Sequence, residues 1–171
     1  MKAIVRTCWQ ICLLRQGPQV FPRSWILFVI LLLVYMAADV ALFVAQGLRG
    51  RVLLPELLLD TALLLAFFAL VLTIWQKLER FNQTLSALLG TSTIIMLVAV
   101  PLTLLATLLP ASTGTQAVGV LLWVIVAWNV LVTGHILRHA LNTWLTLGIF
   151  IAGTYVVLNL VMFSVLFPMR T

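Results

Sequence analysis

The fold is decided by the stretch WILFVILLLVYMAADVALFVAQ, residues 25–46, in which almost every side chain is apolar. A helix rises about 1.5 Å per residue and the hydrocarbon core of a bilayer is about 30 Å thick, so this stretch can cross a membrane. Four similar stretches follow, at residues 52–75, 86–109, 115–137 and 142–167. The sequence therefore predicts an all-α bundle of five transmembrane helices.

The composition excludes a soluble globular domain. The 171 residues are 64% hydrophobic and 8% charged, and the mean hydropathy is +1.22. Soluble domains carry about 25% charged residues. We therefore expect three parts: an amphipathic segment at residues 1–24, the transmembrane domain at residues 25–167 and an external tail at residues 168–171.

The net charge of +6 is explained by membrane topology and does not indicate a nucleic-acid partner. Seven of the ten basic residues fall on one side of the predicted bundle, in the N-terminal segment and in the loops around residues 77–80 and 138. Arg49, Arg51 and Arg170 fall on the other side. Cytoplasmic loops are rich in Lys and Arg, so the N-terminus is predicted in the cytoplasm and the C-terminus outside. We expect a plasma membrane, in particular a bacterial inner membrane.

The N-terminal segment is predicted to be a short helix lying on the inner leaflet. Apolar residues recur at helical spacing over residues 2–15, and Gly17, Pro18 and Pro22 then break the helix. Cys8 and Cys12 both fall on the predicted cytoplasmic side, so a disulfide is not expected. They are either acylation sites or two small residues at the interface.

Polar side chains lie at a similar depth in four of the five predicted spans. Asp39 and Asp60 each lie about 10–12 Å below the outer surface, judged from the rise of about 1.5 Å per residue. Thr103 and Asn159 occupy the same outer half, and Tyr35 precedes Asp39 by one helical turn. A carboxylate inside a bilayer costs at least a few kcal/mol unless it is paired or protonated. We therefore take these five residues as the candidate site, an intramembrane polar layer.

The first span has two distinct faces. Tyr35 and Asp39 share one face, which is predicted to point into the bundle. Ala37, Ala41 and Ala45 follow each other at four-residue spacing on another face. Rows of small residues let helix backbones approach closely, so this second face is predicted to be a helix-packing face.

Three interpretations of the buried carboxylates remain open. They hydrogen-bond across helices and hold the bundle together, or Arg49 or Arg51 reaches down to pair with them, or they bind a proton or cation on a transport path. A third acidic residue, Glu56, lies in the first turn of a helix, where the helix dipole favours negative charge.

Other polar residues do not form a recognisable active site. His135 and His139 have the i, i+4 spacing of some metal ligands, but no Cys, Asp or Glu lies near them in the sequence. Asn129 is expected to donate an interhelical hydrogen bond, and Trp123 and Trp128 are expected to pack inside the fourth span. We expect no metal, no cofactor and no enzymatic activity.

Two stretches resemble the Yip1 family of membrane proteins. LLWVIVAWNVLVTGHILRHAL, residues 121–141, is similar to the family's fourth span and the turn after it. LLRQGPQVFPRSW, residues 13–25, is similar to the proline-marked start of the first span in small bacterial members. The acidic Asp-Leu-Tyr-Gly-Pro motif of the trafficking members is missing, so their role in vesicle traffic is not implied. The resemblance implies a five-span fold and a non-enzymatic scaffold or accessory role.

The sequence supports two hypotheses about function. In the first, the protein is a non-enzymatic scaffold or accessory subunit that contacts a membrane-protein partner or copies of itself within the lipid bilayer. In the second, it is a small proton- or cation-coupled transporter or channel that uses Asp39 and Asp60. The alanine row and the short loops favour the first hypothesis, which is the leading one, and the two intramembrane carboxylates make the second the alternative.

Overall fold

The computed structural model describes residues 2–47, 53–108 and 113–167, and over these residues it is 88% helical without a strand. Six helices follow one another along the described chain: α1 Lys2–Cys12, α2 Trp25–Ala45, α3 Leu53–Ile74, α4 Phe81–Leu108, α5 Thr113–Leu141 and α6 Leu145–Leu166. Two short 3-10 turns, Pro18–Val20 and Leu78–Arg80, lie before α2 and α4. Helices α2 to α6 are long and apolar enough to cross a membrane, which confirms the predicted all-α bundle.

The bundle has two ends that differ in charge. Helices α2, α4 and α6 begin at one end, where α3 and α5 finish, and we call it the basic end because it carries Lys77, Arg80 and Arg138. The opposite end is called the far end. Residues 48–52 and the predicted tail at residues 168–171 lie outside the described part of the chain.

Helix α4 occupies the centre of the bundle and packs mainly against α2 and α5. It begins at Phe81 rather than at the predicted residue 86, because its polar first turns are covered by protein. Every residue from 84 to 93 is buried. The small residues Ser86, Ala87 and Gly90 in this segment let neighbouring helices approach closely. The Thr91 hydroxyl donates to its own helix, at 2.8 Å from the Ala87 carbonyl oxygen.

Helix α1 packs into the basic half of the bundle. Cys8, Ile11 and Cys12 are at most 3% exposed and belong to the same hydrophobic core as α2, α3, α4 and α5. The Trp128 indole N–H on α5 donates to the Cys12 carbonyl at 3.0 Å. The predicted helix therefore forms, but its cysteine face contacts protein where we expected the membrane surface.

This packing changes the interpretation of both cysteines. Burial raises the pKa of the Cys8 thiol to about 11 and that of the Cys12 thiol to about 12. A thiolate is the reactive form of cysteine, so covered and neutral thiols make poor acylation sites. The two residues are not interfacial either, because protein covers them.

The short connections at the basic end are tied together by side-chain hydrogen bonds. Arg80 Nη1 donates to the carbonyl oxygens of His139 and Ala140, each at 3.1 Å. These carbonyls belong to the last turn of α5, where a cation offsets the negative end of the helix dipole. Gln83 Nε2 donates to the Phe21 carbonyl at 2.8 Å and so ties the segment before α2 to α4.

Helices α5 and α6 touch through two glycines near the basic end. A Cβ atom placed on Gly148 would lie 2.3 Å from the Gly134 carbonyl oxygen, and one placed on Gly134 would lie 2.8 Å from the backbone N of Ile149. No side chain fits between backbones this close. The crossing holds α5 and α6 in contact near the basic end. It does not fix their separation at the far end.

Candidate functional site

Asp60 on α3 connects three helices. The Tyr35 hydroxyl on α2 donates to Asp60 Oδ2 at 2.5 Å, and Asn159 Nδ2 on α6 donates to Asp60 Oδ1 at 2.8 Å. Asp60 and Asn159 were predicted to lie at one depth, and Tyr35 was predicted to share the face of Asp39; in the structure both Tyr35 and Asn159 contact Asp60 directly. Asp60 is 9% exposed, so its carboxyl group sits inside the bundle.

Asp39 lies beside Asp60 on the predicted inward face of α2. It is 2% exposed, and its Oδ2 atom has no hydrogen-bond partner. Its electrostatic neighbours are Asp60 and Glu56, and Glu56 is itself buried in the first turn of α3. Three of the four acidic residues of the chain therefore gather in one place, on two helices, and we call them the carboxyl cluster.

Within the described residues, no basic side chain forms an ion pair with Asp39 or Asp60. The recorded ion pair joins Arg80 and Glu79 at 4.0 Å, at the basic end. Arg49 and Arg51, which the sequence suggested as partners, lie outside the described residues. The hypothesis that they pair with the cluster stays a prediction.

Two further polar residues, Thr103 of the predicted layer and Asn129, are not hydrogen-bonded to the carboxyl cluster. The Thr103 hydroxyl donates to the Ala99 carbonyl oxygen of its own helix at 3.0 Å. Asn129 accepts a hydrogen bond of 3.4 Å from Thr133, also on its own helix, where we expected it to donate to another helix. Depth alone could not show either outcome, because a hydroxyl or amide can be satisfied within its own helix.

The alanine row does not pack inside the bundle as a whole. Ala45 is buried, but Ala37 and Ala41 are exposed on the outer surface of α2. The row therefore leaves a strip of small residues facing away from the other described helices. Contact of this strip with a second protein stays a prediction.

The two tryptophans of α5, Trp123 and Trp128, lie in different surroundings. Trp128 packs as expected and bonds to α1. Trp123 is 67% exposed on the outer face of α5, so the prediction that it packs inside was wrong. A helix in lipid can expose apolar aromatic side chains without cost, and composition does not reveal which of two tryptophans faces the bilayer.

A cavity of about 290 Å³ adjoins the carboxyl cluster. Its polar lining consists of Tyr35, Asp60, Ser92, Asn129, Tyr155 and Asn159. The remaining lining is apolar and comes from α2, α3, α4, α5 and α6: Leu42, Leu64, Ile95, Met96, Ala99, Ile125, Val126, Val156 and Leu160. None of these residues is Lys, Arg or His, so the described wall of the cavity carries acidic charge alone.

The cavity borders the outer surface of the bundle along α5 and α6. Two of its lining residues are exposed: Val126 on α5 is 36% exposed and Leu160 on α6 is 56% exposed. Ala152, which lies closer to the glycine crossing, is 1% exposed. Both exposed lining residues lie on the far-end side of that crossing.

The sequence analysis missed Tyr155 and the two glycines. Tyr155 precedes Asn159 by one helical turn, so the same-face rule would have placed it beside the candidate site. Its ring packs against Phe67 and Phe68, with centroids 5.4 and 5.1 Å away. Tyr155 also lines the cavity, so it lies between the two phenylalanines of α3 and the cavity.

The two histidines do not form a metal site in the described structure. Their rings pack edge to face with centroids 4.7 Å apart, and His135 Nε2 lies 3.1 Å from the Gln16 carbonyl oxygen. Across the described ranges, no group of three His, Cys, Asp or Glu side chains has the arrangement needed to hold a metal ion. The carboxyl cluster also lacks the arrangement needed to hold a metal ion.

No family model, no curated protein and no solved structure matches the chain. The resemblance to the Yip1 family rests on topology and on loose apolar motifs, and it stays a prediction. The carboxyl cluster and its cavity are therefore the features of the chain that bear on its function.

Chemically, the arrangement suits the binding of a proton or another cation. Neighbouring carboxylates repel each other in apolar surroundings, and a shared proton or a bound cation relieves that repulsion. One oxygen of Asp39 has no hydrogen-bond partner, whereas both oxygens of Asp60 accept a hydrogen bond. The two carboxyl groups therefore have different surroundings. Such a pair can hold one proton and one negative charge at once.

Proposed function

We propose that this protein is a proton-coupled membrane transporter in which Asp39 and Asp60 bind the coupling proton. One observation carries the proposal: two carboxyl groups on adjacent helices meet inside a transmembrane bundle, beside a cavity, with no ion-pair partner among the described residues. Acidic groups buried in a membrane are expensive, and they typically mark proton or ion pathways.

The charge pattern supports an orientation of the proposed transporter in the membrane. With the basic end in the cytoplasm, as the positive-inside rule favours, Asp39 and Asp60 lie in the outer half of the membrane. The same pattern is the basis for proposing a plasma membrane of bacterial inner-membrane type.

The scaffold hypothesis remains the second candidate, and the exposed strip at Ala37 and Ala41 favours it. Small residues on a lipid-facing surface allow close approach of a helix from a partner or from another copy of the chain. In that case the carboxyl cluster would hold the bundle together and its protonation state would not change.

Infrared difference spectroscopy of the purified protein in lipid tests the proposal. We expect a C=O stretching band of a protonated carboxyl group that titrates with pH, and we expect Asp39→Asn or Asp60→Asn to remove or shift it. Glu79→Gln is the matched control, because Glu79 is exposed at the basic end and should leave the band unchanged.

Thermal unfolding of the same variants separates the two candidates. The transporter proposal expects each asparagine variant to fold with little loss of stability, because the amide has the same shape and carries no charge. If no band titrates and both variants unfold at clearly lower temperature, the cluster is structural and the scaffold hypothesis is favoured instead.

A further inference from the structure

We infer that the cavity binds a small lipophilic organic cation, of the ammonium class, which exchanges at Asp60 with the coupling proton. The inference rests on the proposed function and names the substrate class for the same site. Its basis is the combination of acidic charge, apolar walls, aromatic rings and a position at the membrane-facing surface.

Charge selects a cation. Asp60 reaches the cavity wall with Asp39 as an electrostatic neighbour in the interior, and none of the described lining residues is basic. An anion would meet repulsion from these carboxyl groups, whereas an ammonium group would offset them. Tyr35 and Asn159 each donate one hydrogen bond to Asp60, so the carboxyl group is held in place beside the cation.

The walls select an organic cation. Nine of the fifteen lining residues are apolar, so most of the wall suits a ligand with a hydrocarbon body. The rings of Tyr35 and Tyr155 line the same space, and aromatic faces attract ammonium groups. A compound with an apolar body and one permanent positive charge matches both properties.

The position of the cavity favours a lipophilic compound. Val126 on α5 and Leu160 on α6 line the cavity and are exposed, and a transmembrane helix pair presents that surface to lipid. A ligand that partitions into the membrane can reach Asp60 sideways from the bilayer. A strongly hydrated ligand would have to leave its water first, which costs free energy.

The exchange balances in charge and atoms. A protonated Asp60 carboxyl group loses its proton as the cation arrives, giving a carboxylate, a bound cation and one released proton. Reprotonation of Asp60 releases the cation. Competition for one carboxyl group makes the two occupants mutually exclusive, which couples their movement in opposite directions.

Titration calorimetry of the full chain in lipid nanodiscs tests the inference, with benzyltrimethylammonium as the probe. We expect binding that releases close to one proton per cation, read from the dependence of the heat on buffer ionisation. The matched ligand is neopentylbenzene, which has the same shape with a carbon in place of the charged nitrogen and should not compete. Asp60→Asn should lower the affinity at least tenfold.

A second pair of variants tests the cavity without changing its charge. Leu160→Trp narrows the cavity at its exposed edge and should weaken binding, whereas Val157→Trp on the same helix is the control, because Val157 is exposed and does not line the cavity. Equal loss in both variants would overturn the assignment of the route.

The outcomes separate the inference from the proposed function. No cation binding, equal binding by Asp60→Asn, or effective competition by the neutral ligand would overturn the inference, while a titrating carboxyl band would still support the proposed function. Cation binding that depends on Asp60 but releases no proton would leave the cation site in place but overturn its exchange with the proton, and proton coupling with it.

Discussion

The basic half and the far half of the bundle are built on different principles. In the basic half, backbones meet at Gly134 and Gly148, Cys8 fills the space over Gly90, and side chains are satisfied by nearby carbonyls. In the far half, a cavity lies among the helices and acidic groups lie beside each other. The first arrangement stabilises the fold, whereas the second keeps charge inside a membrane at a free-energy cost. The difference indicates where function is located.

The largest effect is expected from Gly148→Ala in the basic half. The new Cβ would lie 2.3 Å from the Gly134 carbonyl oxygen, so α5 and α6 must separate. Overpacking of this kind costs about 1–3 kcal/mol. Gly153→Ala on the same helix is the control, because a Cβ there meets nothing within 4 Å. Thermal unfolding in mild detergent should show a clear destabilisation for the first variant and none for the second.

If Gly148→Ala and Gly153→Ala unfolded at similar temperatures, the difference in packing between the two halves would be contradicted. It would mean that α5 and α6 can move apart at the glycine crossing at little cost in free energy. The cavity would then vary in width, and the glycine contact would not fix its shape.

The second prediction concerns the thiols of α1, which report how well the basic half is closed. Because burial holds the pKa of the Cys8 thiol at about 11, against 9.0 for the free group, its thiolate fraction at pH 8 is about 100-fold lower than that of an exposed cysteine. Maleimide labelling of the native protein should be slow and should become fast in denaturant. An added cysteine at the exposed Arg15 position should label quickly.

The same shift predicts a direction for stability against pH. The thiol pKa values are higher in the folded state, so the folded state binds protons more tightly. This contribution to stability is fully present below pH 9.0 and is lost as pH rises through about 11 for Cys8 and about 12 for Cys12. Fast labelling of the native protein at pH 8 would show instead that α1 leaves the bundle readily.

Much of the fold could be predicted because the membrane imposes a simple rule. Apolar length gave the five spans, depth placed Asp60 and Asn159 in one layer, and the face shared with Asp39 added Tyr35. What could not be predicted depends on contacts between helices. The predicted span began at residue 86, but α4 begins at Phe81 and residues 84–93 are all buried although many are polar, so this polar segment lies at the centre of the bundle. Whether Ala37 faces protein or lipid depends on helix rotation, which no periodicity in a uniformly apolar span reveals.

The smallest effect is expected from Tyr35→Phe in the far half. The variant removes the hydroxyl that donates to Asp60 Oδ2, yet Asn159 still donates to the other oxygen. A single interhelical hydrogen bond in a membrane protein is worth about 0.6–2 kcal/mol, and a double-mutant cycle with Asp60→Asn measures its coupling energy directly. We expect a coupling energy near the lower end of this range, because a cluster that exchanges protons cannot depend on one fixed bond.

A coupling energy larger than the loss of stability caused by Gly148→Ala would contradict the difference between the basic half and the far half. The carboxyl cluster would then hold the bundle together, and the scaffold hypothesis would be the better account of Asp39 and Asp60.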